Sequence, residues 1–358
     1  MTEEYEFDEA WPNTQIVTSE PIKIVGVGGF GNEMVNELIG YLGKHVGDVY
    51  VDADLEALEQ YIDRPTVKLQ IADGEITKPD DARAAAEAAH QQLRQALGGA
   101  RMVFIVSALG GVTGSGATAV VARIANQIGI LTMCMVTYPH EKNPPFPAQN
   151  IGNVANAKYG LAALRQTGGA IIEIRERRRT AFWGSESEET QLEGLDDDLD
   201  LWSDRYLQSI RRLRDDIHER LCRFIAIVVE MEVVGFQTAD FEDLRYVIER
   251  PGTAAIGMAT LGSKNPIKRA LKYAAQDLDG DFLISDASAV FMVITGSKDQ
   301  ISIANQKLAL NLLRKMLRPE AHISYGFVCD PDLGETASIC LLAKGAPFGY
   351  HYPLGVPH

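Results

Sequence analysis

Short hydrophobic runs alternate with amphipathic stretches of helical period along most of the chain. The runs predict β-strands and the stretches predict α-helices, because apolar side chains recur at the period of each structure. In the first half the predicted strands are Ile22–Val27, Val49–Val51, Val67–Ile71, Val103–Ala108, Ile130–Val136 and Ala170–Ile174, and a strong helix is predicted over Asp80–Leu97. The alternation predicts an α/β fold with a parallel sheet covered on both faces, so that ligands bind at the C-terminal ends of its strands.

A long helical pattern divides the chain beyond its middle. It runs from Arg205 to about Val234 and ends in a very apolar half, which predicts a central helix buried between two domains. Beyond it, strands are predicted at Val290–Thr295, Ile323–Asp330 and Ala337–Ala343, with a helix at Ile303–Leu317. We therefore expect a second α/β unit after the central helix.

Composition and charge exclude several classes of protein. The 358 residues are 46% hydrophobic, which is enough for two domains with ordinary cores. A formal net charge of −15 argues against a nucleic-acid binder and against docking on an anionic membrane. The chain has no run of about 18 or more apolar residues, so no membrane span is predicted. The four scattered cysteines indicate a reducing compartment and not a metal site. The first twenty residues are acidic and do not have the pattern of a signal peptide. Together these observations predict a cytoplasmic protein.

The most informative segment is a glycine-rich turn between the predicted strand at Val103–Ala108 and an Ala-rich helix that starts near Ala117. We call Gly110–Gly116 the second glycine loop; its glycines at 110, 111, 114 and 116 enclose Thr113 and Ser115. Glycines allow successive N–H groups to turn inward, and a helix N-terminus adds partial positive charge. Strand, glycine turn and helix together predict a cradle for phosphate, to which both hydroxyls are expected to donate.

A first glycine loop, Gly26–Gly31, follows the first predicted strand. Its spacing fits the G-x-G-x-x-G pattern of dinucleotide-binding proteins, and Asp52 or Asp54 lies about where that pattern places an acidic residue. A nicotinamide-dependent enzyme is therefore one hypothesis, although it leaves the second glycine loop unexplained and lacks an obvious catalytic His/Lys arrangement. Two loops that converge on one triphosphate account for both.

The second glycine loop, GGVTGSG, resembles the GGGTGSG signature of the tubulin/FtsZ family. Four further segments resemble the same family in the same order: IKIVGVGGFGNEMVNELI, VYVDADLEALE, TADFEDLRYVI and the region from AVFMVITGSKDQ to ISYGFVCDPDLGETASICLLAKG. The resemblance covers most of residues 20–345. It implies a divergent FtsZ-like protein with an N-terminal Rossmann-like nucleotide-binding domain, a long central helix and a C-terminal α/β domain.

The resemblance also implies a domain organisation. The expected parts are a flexible acidic arm at 1–20, a GTP-binding domain at 21–204 with a charged loop insertion at 175–204, a central helix at 205–236, a C-terminal activation domain at 237–346 and a tail at 347–358.

GTP or GDP with Mg²⁺ is the ligand that the resemblance implies. The nucleotide-binding residues that the resemblance implies are Gly28, Gly29, Phe30, Asn32, Asp54, Gly110, Gly111, Val112, Thr113, Gly114, Ser115, Gly116 and Glu141. Phe30 and Asn32 stand at positions where the family usually has glycine. Asp54 is expected to help hold Mg²⁺ through water, with a solvated loop acid as the alternative.

Two carboxylates in the segment TADFEDLRYVI match the family's synergy loop, which completes the GTP site of the next subunit. Asp240 and Asp243 are three residues apart, so that at a helix start both face one side. The resemblance implies that they orient a water for attack on the γ-phosphate in a head-to-tail homopolymer. The alternative is a helix cap, with Asp240 as N-cap and Asp243 as the acid at N3. Other filament or membrane-adaptor proteins are further possible partners.

Several segments depart from the family. The third loop has only Gly74, Glu141 and Lys142 replace a ribose-binding E-G-x-R segment in part, and Arg175 or Arg177 stands where a base-binding asparagine is expected. These departures support a second hypothesis, a divergent scaffold or regulator that does not hydrolyse GTP.

Overall fold

A computed structural model describes residues 22–42, 46–61, 67–72, 74, 76–139, 147–175, 220–229, 231, 239–250, 252–262, 266–278 and 282–345. Five predicted features lie wholly or largely outside the described residues: the acidic arm, Glu141, the charged loop insertion, the tail and most of the central helix.

One ten-stranded sheet runs through the described residues. In chain order the strands are β1 Ile22–Val27, β2 Gly47–Asp52, β3 Val67–Gln70, β4 Met102–Ala108, β5 Leu131–Tyr138, β6 Ala170–Arg175, β7 Thr253–Gly262, β8 Ala287–Gly296, β9 His322–Cys329 and β10 Thr336–Gly345. Their order across the sheet is β3-β2-β1-β4-β5-β6-β7-β10-β8-β9.

Helices cover both faces of this sheet. They are α1 Gly28–Leu42, α2 Leu55–Glu59, α3 Pro79–Ala88, α4 His90–Leu97, α5 Val112–Gln127, α6 Pro147–Leu164, α7 at 220–229, α8 Phe241–Ile248, α9 Pro266–Gln276 and α10 Ile303–Met316. The apolar side chains of α7 pack in one cluster with strand residues from both halves of the sheet, among them Phe104 and Phe291.

The first six strands are parallel and have the order 3-2-1-4-5-6. The direction of winding reverses between β1 and β4, so a crevice forms beyond the C-terminal ends of these two strands. The first glycine loop spans the end of β1 and the start of α1, and the second begins two residues after β4. The sheet therefore places them together at the edge where ligands bind in doubly wound folds.

The prediction of a parallel sheet is wrong for the last strand. β10 lies between β7 and β8 and is antiparallel to both. The connection from β9 to β10 contains only one 3₁₀ turn, Pro331–Leu333, and so short a connection reverses the chain instead of crossing over. The two halves of the sheet meet at β6 and β7, where Ile172 pairs with Ala254.

Two helix boundaries also differ from the predictions. The helix expected over Asp80–Leu97 is two helices, which meet at Ala89 with φ −81° and ψ 12°. The helix expected from Ala117 begins at Val112, so most of the second glycine loop is already helical. Gly114 and Gly116 allow close packing there, because an added Cβ would lie 2.3 Å from the carbonyl oxygen of Ala108 and 2.1 Å from that of Pro79.

Candidate functional site

The two glycine loops touch each other at the edge of the sheet. Gly28 has φ 77°, and a Cβ on it would lie 3.2 Å from the backbone nitrogen of Gly114. The strands below are tied together, since the Ser107 hydroxyl donates to the carbonyl oxygen of Val27 at 3.1 Å. The convergence of the loops, which the sequence predicted, is confirmed.

Two helix N-termini open into the same region. α1 begins at Gly28 and α5 at Val112, and neither first turn carries an acidic residue. Gly29 and Gly111 are exposed, and a Cβ on either would meet no atom within 4 Å. Open space beside the N–H groups of two helix N-termini is suited to an anion.

The start of the second glycine loop is held by side chains from two directions. Gly110 has φ 128°; its N–H donates to the Ser115 hydroxyl at 2.9 Å and its carbonyl accepts from the Asn156 side chain at 3.0 Å. Ser115 is 1% exposed, so its oxygen shapes the loop from beneath. Asn156, on α6, was not predicted, and no local pattern singles it out.

A buried carboxylate, Asp52 at the end of β2, faces the second glycine loop. Its Oδ1 accepts from the Ala53 N–H at 2.8 Å and from the Thr113 hydroxyl at 3.5 Å. The Asn32 side chain donates to its Oδ2 at 3.2 Å and also spans the backbone of Val51. Burial raises the pKa of Asp52, and the hydrogen bonds from backbone N–H groups and Thr113 oppose that shift.

Three predicted nucleotide-binding residues have other contacts. Asp54 is exposed and caps α2, accepting from the N–H groups of Glu56 and Ala57 at 2.9 and 3.4 Å. Asn32 is fully buried and braces β2, while Phe30 packs against the apolar cluster beneath α1. The acid that touches the second glycine loop is therefore Asp52, which is not among the nucleotide-binding residues predicted from the sequence. Its place as the last strand residue was the signal.

The pair Asp240 and Asp243 forms a capping box at the start of α8. Asp240 Oδ1 accepts from the N–H groups of Glu242 and Asp243 at 2.9 and 3.0 Å, and Asp243 Oδ2 accepts from the Asp240 N–H at 3.0 Å. Asp243 Oδ1 accepts from the Ser324 hydroxyl at 3.1 Å. The capping alternative is confirmed, and one oxygen of Asp243 is also held from outside the helix.

α8 lies where β4 begins, at the edge of the sheet opposite to the strand ends that carry the glycine loops. The Phe241 ring is 4.4 Å from the guanidinium carbon of Arg101, which directly precedes β4, whereas the second glycine loop follows β4. A strand of 7 residues separates its two ends by about 20 Å. The Asp240/Asp243 carboxylates therefore do not reach the glycine loops of their own chain.

Two features are absent from the described residues. None of the helices there is long and apolar enough to cross a membrane. Within the same residues, no group of three or more His, Cys, Asp or Glu side chains is arranged to hold a metal ion.

Comparison with known proteins gives concordant sequence matches. A family model described as "Tubulin/FtsZ family, GTPase domain" matches residues 21–176. The chain is 30% identical over 342 residues to Cell division protein FtsZ 1 of Thermococcus kodakarensis, covering 92% of this chain and 82% of the relative. It is 28% identical over 338 residues to the protein of the same name from Pyrococcus abyssi, with the same two coverages.

Solved structures confirm the predicted fold class. An FtsZ dimer from M. jannaschii superposes with a TM-score of 0.70 at 22% identity and covers 94% of both chains. CetZ2 from Haloferax volcanii, described as a GTPgS-bound protofilament, gives 0.66 at 17% identity and covers 90% of this chain and 92% of that one.

Proposed function

Since the chain belongs to the tubulin/FtsZ family, we propose that it is a filament-forming cytoskeletal protein that binds GTP at its glycine loops and hydrolyses it between head-to-tail subunits. The proposal includes the domain organisation given above, with GTP held by 21–204 and the activating residues in 237–346. The observation that carries it is the placement of the glycine loops and the Asp240/Asp243 pair at opposite edges of one sheet.

The triphosphate is proposed to lie where α1 and α5 begin. The exposed backbone at Gly29 and Gly111 offers N–H groups to phosphate oxygens without side chains in the way. Val112 and Thr113, in the first turn of α5, are half-buried beside this space. Gly114 and Gly116 contribute by close packing, since Gly114 lets α5 approach the end of β4 and the first glycine loop, and Gly116 lets it approach α3.

Asp52 and Thr113 are the described residues that fit Mg²⁺ beside the phosphates. Carboxylate and hydroxyl oxygens are the ligands that this ion prefers. Burial disfavours the ionised form of Asp52, and a nearby cation would stabilise that form. When bound, the ion would neutralise charge on the phosphate oxygens. Asp54 is assigned to the α2 cap in this scheme.

Hydrolysis is proposed to need the carboxylates of a second copy. Asp240 and Asp243 lie about 20 Å from their own glycine loops, so they serve a site only if another subunit presents its loop edge to α8. There they orient and polarise the attacking water, and positioning supplies most of the rate in phosphoryl transfer. A contact between unlike edges does not close on itself and generates filaments.

A direct test measures GTP turnover against protein concentration together with light scattering. The proposal expects turnover to appear above a critical concentration, in step with scattering. Asp243→Ala is expected to abolish turnover and to retain GTP binding, because the glycine loops are untouched. Undiminished turnover in this variant would contradict the assignment.

The second candidate, a scaffold that does not hydrolyse GTP, is favoured by one observation. Both carboxylates of the pair already accept the hydrogen bonds of a complete capping box, a role that needs no catalysis. Flat, near-zero turnover at all concentrations supports this candidate, and scattering in the same samples shows whether the chain still assembles.

A further inference from the structure

We propose that Ser324 and His322 on β9 are positioning residues for the Asp243 carboxylate. The inference rests on the proposed hydrolysis between subunits and adds residues that the sequence comparison did not single out. The three side chains form one continuous chain of hydrogen bonds, from His322 Nε2 to Ser324 Oγ at 2.8 Å and from Ser324 Oγ to Asp243 Oδ1 at 3.1 Å.

The strand geometry brings the two β9 side chains to the same helix. His322 and Ser324 are two residues apart, so both lie on the face of β9 toward α8. The alternate residues Ile323 and Tyr325 pack on the other face, against the cluster beneath α9 and α10. Ser324 is 5% exposed, so its hydroxyl has little access to water and depends on these partners.

The chemistry of the donors fixes the direction of the hydrogen bonds. An ionised carboxylate only accepts, so the single Ser324 hydrogen points to Asp243. The Ser324 oxygen then accepts from His322, which requires a hydrogen on Nε2 of the imidazole. The assigned order is His322 N–H to Ser324 O–H to Asp243 carboxylate.

This link exceeds what a helix cap needs. The capping box uses only Oδ2 of Asp243, which accepts from the Asp240 N–H. The bond to Oδ1 comes from a different element and fixes the rotation of the carboxylate from the other side. Each oxygen has a second lone pair, so a carboxylate held in this way can still accept from a water. A group fixed before the reaction is what a positioned water requires.

His322, at the outer end of these hydrogen bonds, also contacts α8. Its ring lies 4.4 Å from the ring of Tyr246, which is one helical turn beyond Asp243. The Arg250 guanidinium carbon lies 4.2 Å from the centre of the Tyr246 ring. β9 thus contacts α8 at Asp243 and at Tyr246. His322 is set by a ring contact on one side and by a hydrogen bond on the other.

The first test compares turnover per assembled subunit in variants that remove one contact each. Ser324→Ala removes the hydroxyl, and His322→Phe keeps a ring for Tyr246 but removes the donor. We expect each to lower turnover about tenfold at saturating GTP, with the critical concentration and the melting temperature near those of the wild type. Ser324→Thr and His322→Gln keep the hydroxyl and the N–H, and are expected to recover most of the turnover. Ser338→Ala, which removes a hydroxyl bonded to Thr260 on the same sheet, is the matched control.

A second measurement reports on the hydrogen bonds from His322 through Ser324 to Asp243, here called the relay, and needs no GTP. Nitrogen-detected NMR of labelled histidine gives the tautomer of His322, which we expect to carry its hydrogen on Nε2 in the wild type and to lose that preference in Ser324→Ala. Wild-type turnover in Ser324→Ala and His322→Phe, with Asp243→Ala inactive, overturns the relay and leaves the proposed function standing. Undiminished turnover in Asp243→Ala overturns both.

Discussion

Neither the backbone conformation of Gly111 nor the packing around it requires glycine. It is the N-cap of α5 with φ −69° and ψ 156°, a conformation open to any residue, and a Cβ there would meet open space. Its small size is therefore not required by the fold. The vacant volume in front of it is the volume proposed for phosphate.

Replacing Gly111 by aspartate separates folding from binding. Asp is a favourable N-cap, so the melting temperature of Gly111→Asp should equal or exceed that of the wild type. Its charge repels phosphate, and we expect affinity for a fluorescent GTP analogue to fall about tenfold or more. Gly111→Asn has the same size and capping ability without the charge and serves as control. Equal binding by the two variants would show that phosphate lies elsewhere.

Lys344 is a second residue with a specific consequence, because its amine is buried. The side chain is 1% exposed, donates to the Gly169 carbonyl at 3.0 Å, and burial lowers its pKa from 10.5 to about 8. Between these pH values the unfolded chain holds a proton that the folded chain has lost, so stability rises with pH there. Below about pH 8 the Lys344 amine is protonated in both states, so the free energy of unfolding is lowered by the full cost of burying the charge.

The prediction for Lys344 compares it with Lys344→Met. The free energy of unfolding of the wild type, relative to the variant, should increase by about 3 kcal/mol between about pH 7.5 and 10.5. Urea denaturation at several pH values in this range measures the difference. Lys272→Met, at an exposed lysine, controls for removal of one charge. A difference that does not change with pH would contradict the assigned burial of the amine.

At this scale the sequence predicts loops better than it predicts individual side chains. Glycine spacing located both loops, because turn and helix-start geometry depends on adjacent residues. Asp52 and Asp54 look equivalent in sequence, yet one is buried beside Thr113 and the other caps α2. Ser115 likewise lies under its loop, where only the packing of α5 places it. Which side a polar group faces is decided by tertiary contacts that local patterns do not contain.

Among the elements, α7 is joined to the C-terminal unit by a buried ion pair. Arg220 is 8% exposed and its guanidinium lies 2.7 Å from Asp277 Oδ1, while Asp277 Oδ2 accepts from the Met258 N–H at 3.0 Å. A further guanidinium hydrogen bond goes to the carbonyl of Asp277 at 3.2 Å. One carboxylate therefore links the helix, the end of α9 and β7.

Removing that carboxylate should be costly. Asp277→Ala removes the half-buried carboxylate that lies 2.7 Å from the Arg220 guanidinium, and we expect a loss of about 2 kcal/mol after allowing for the partial exposure of Asp277. Glu249→Ala breaks the exposed Arg245–Glu249 pair and should cost less than about 0.5 kcal/mol. Urea denaturation of both variants decides the matter. Similar losses would mean that the Arg220 pair is no stronger than a surface pair.

Element types were predictable because hydrophobic period is a local signal, and most predicted strands are present within a residue or two. The break at Ala89 and the antiparallel β10 were not. The break lies in an Ala-rich helical pattern without Gly or Pro, and strand direction depends on which distant strands pair.

For the whole molecule, the proposal that two subunits share one site allows a complementation test. Asp243→Ala keeps its glycine loops intact, and Gly111→Asp keeps α8 intact, so neither alone completes a site. In an equal mixture about a quarter of head-to-tail contacts pair intact loops with an intact Asp243. With GTP kept low enough to fill intact loops and leave most Gly111→Asp loops empty, we expect turnover near that fraction of the wild-type value in the mixture and far less in either variant alone. No recovery in a mixture that still scatters light would argue against a site shared between subunits.

In the proposed head-to-tail assembly, the opposite placement of loops and α8 also makes the activity per chain depend on the length of the stack. A stack of subunits always has one fewer contact than it has chains, so one terminal chain holds nucleotide with no carboxylates facing it. In a dimer the activity per chain would be about half that of a long stack, and the value approaches its limit only as the stack grows. Conditions that shorten the stacks would therefore lower activity per chain even when the chemistry at each contact is unchanged.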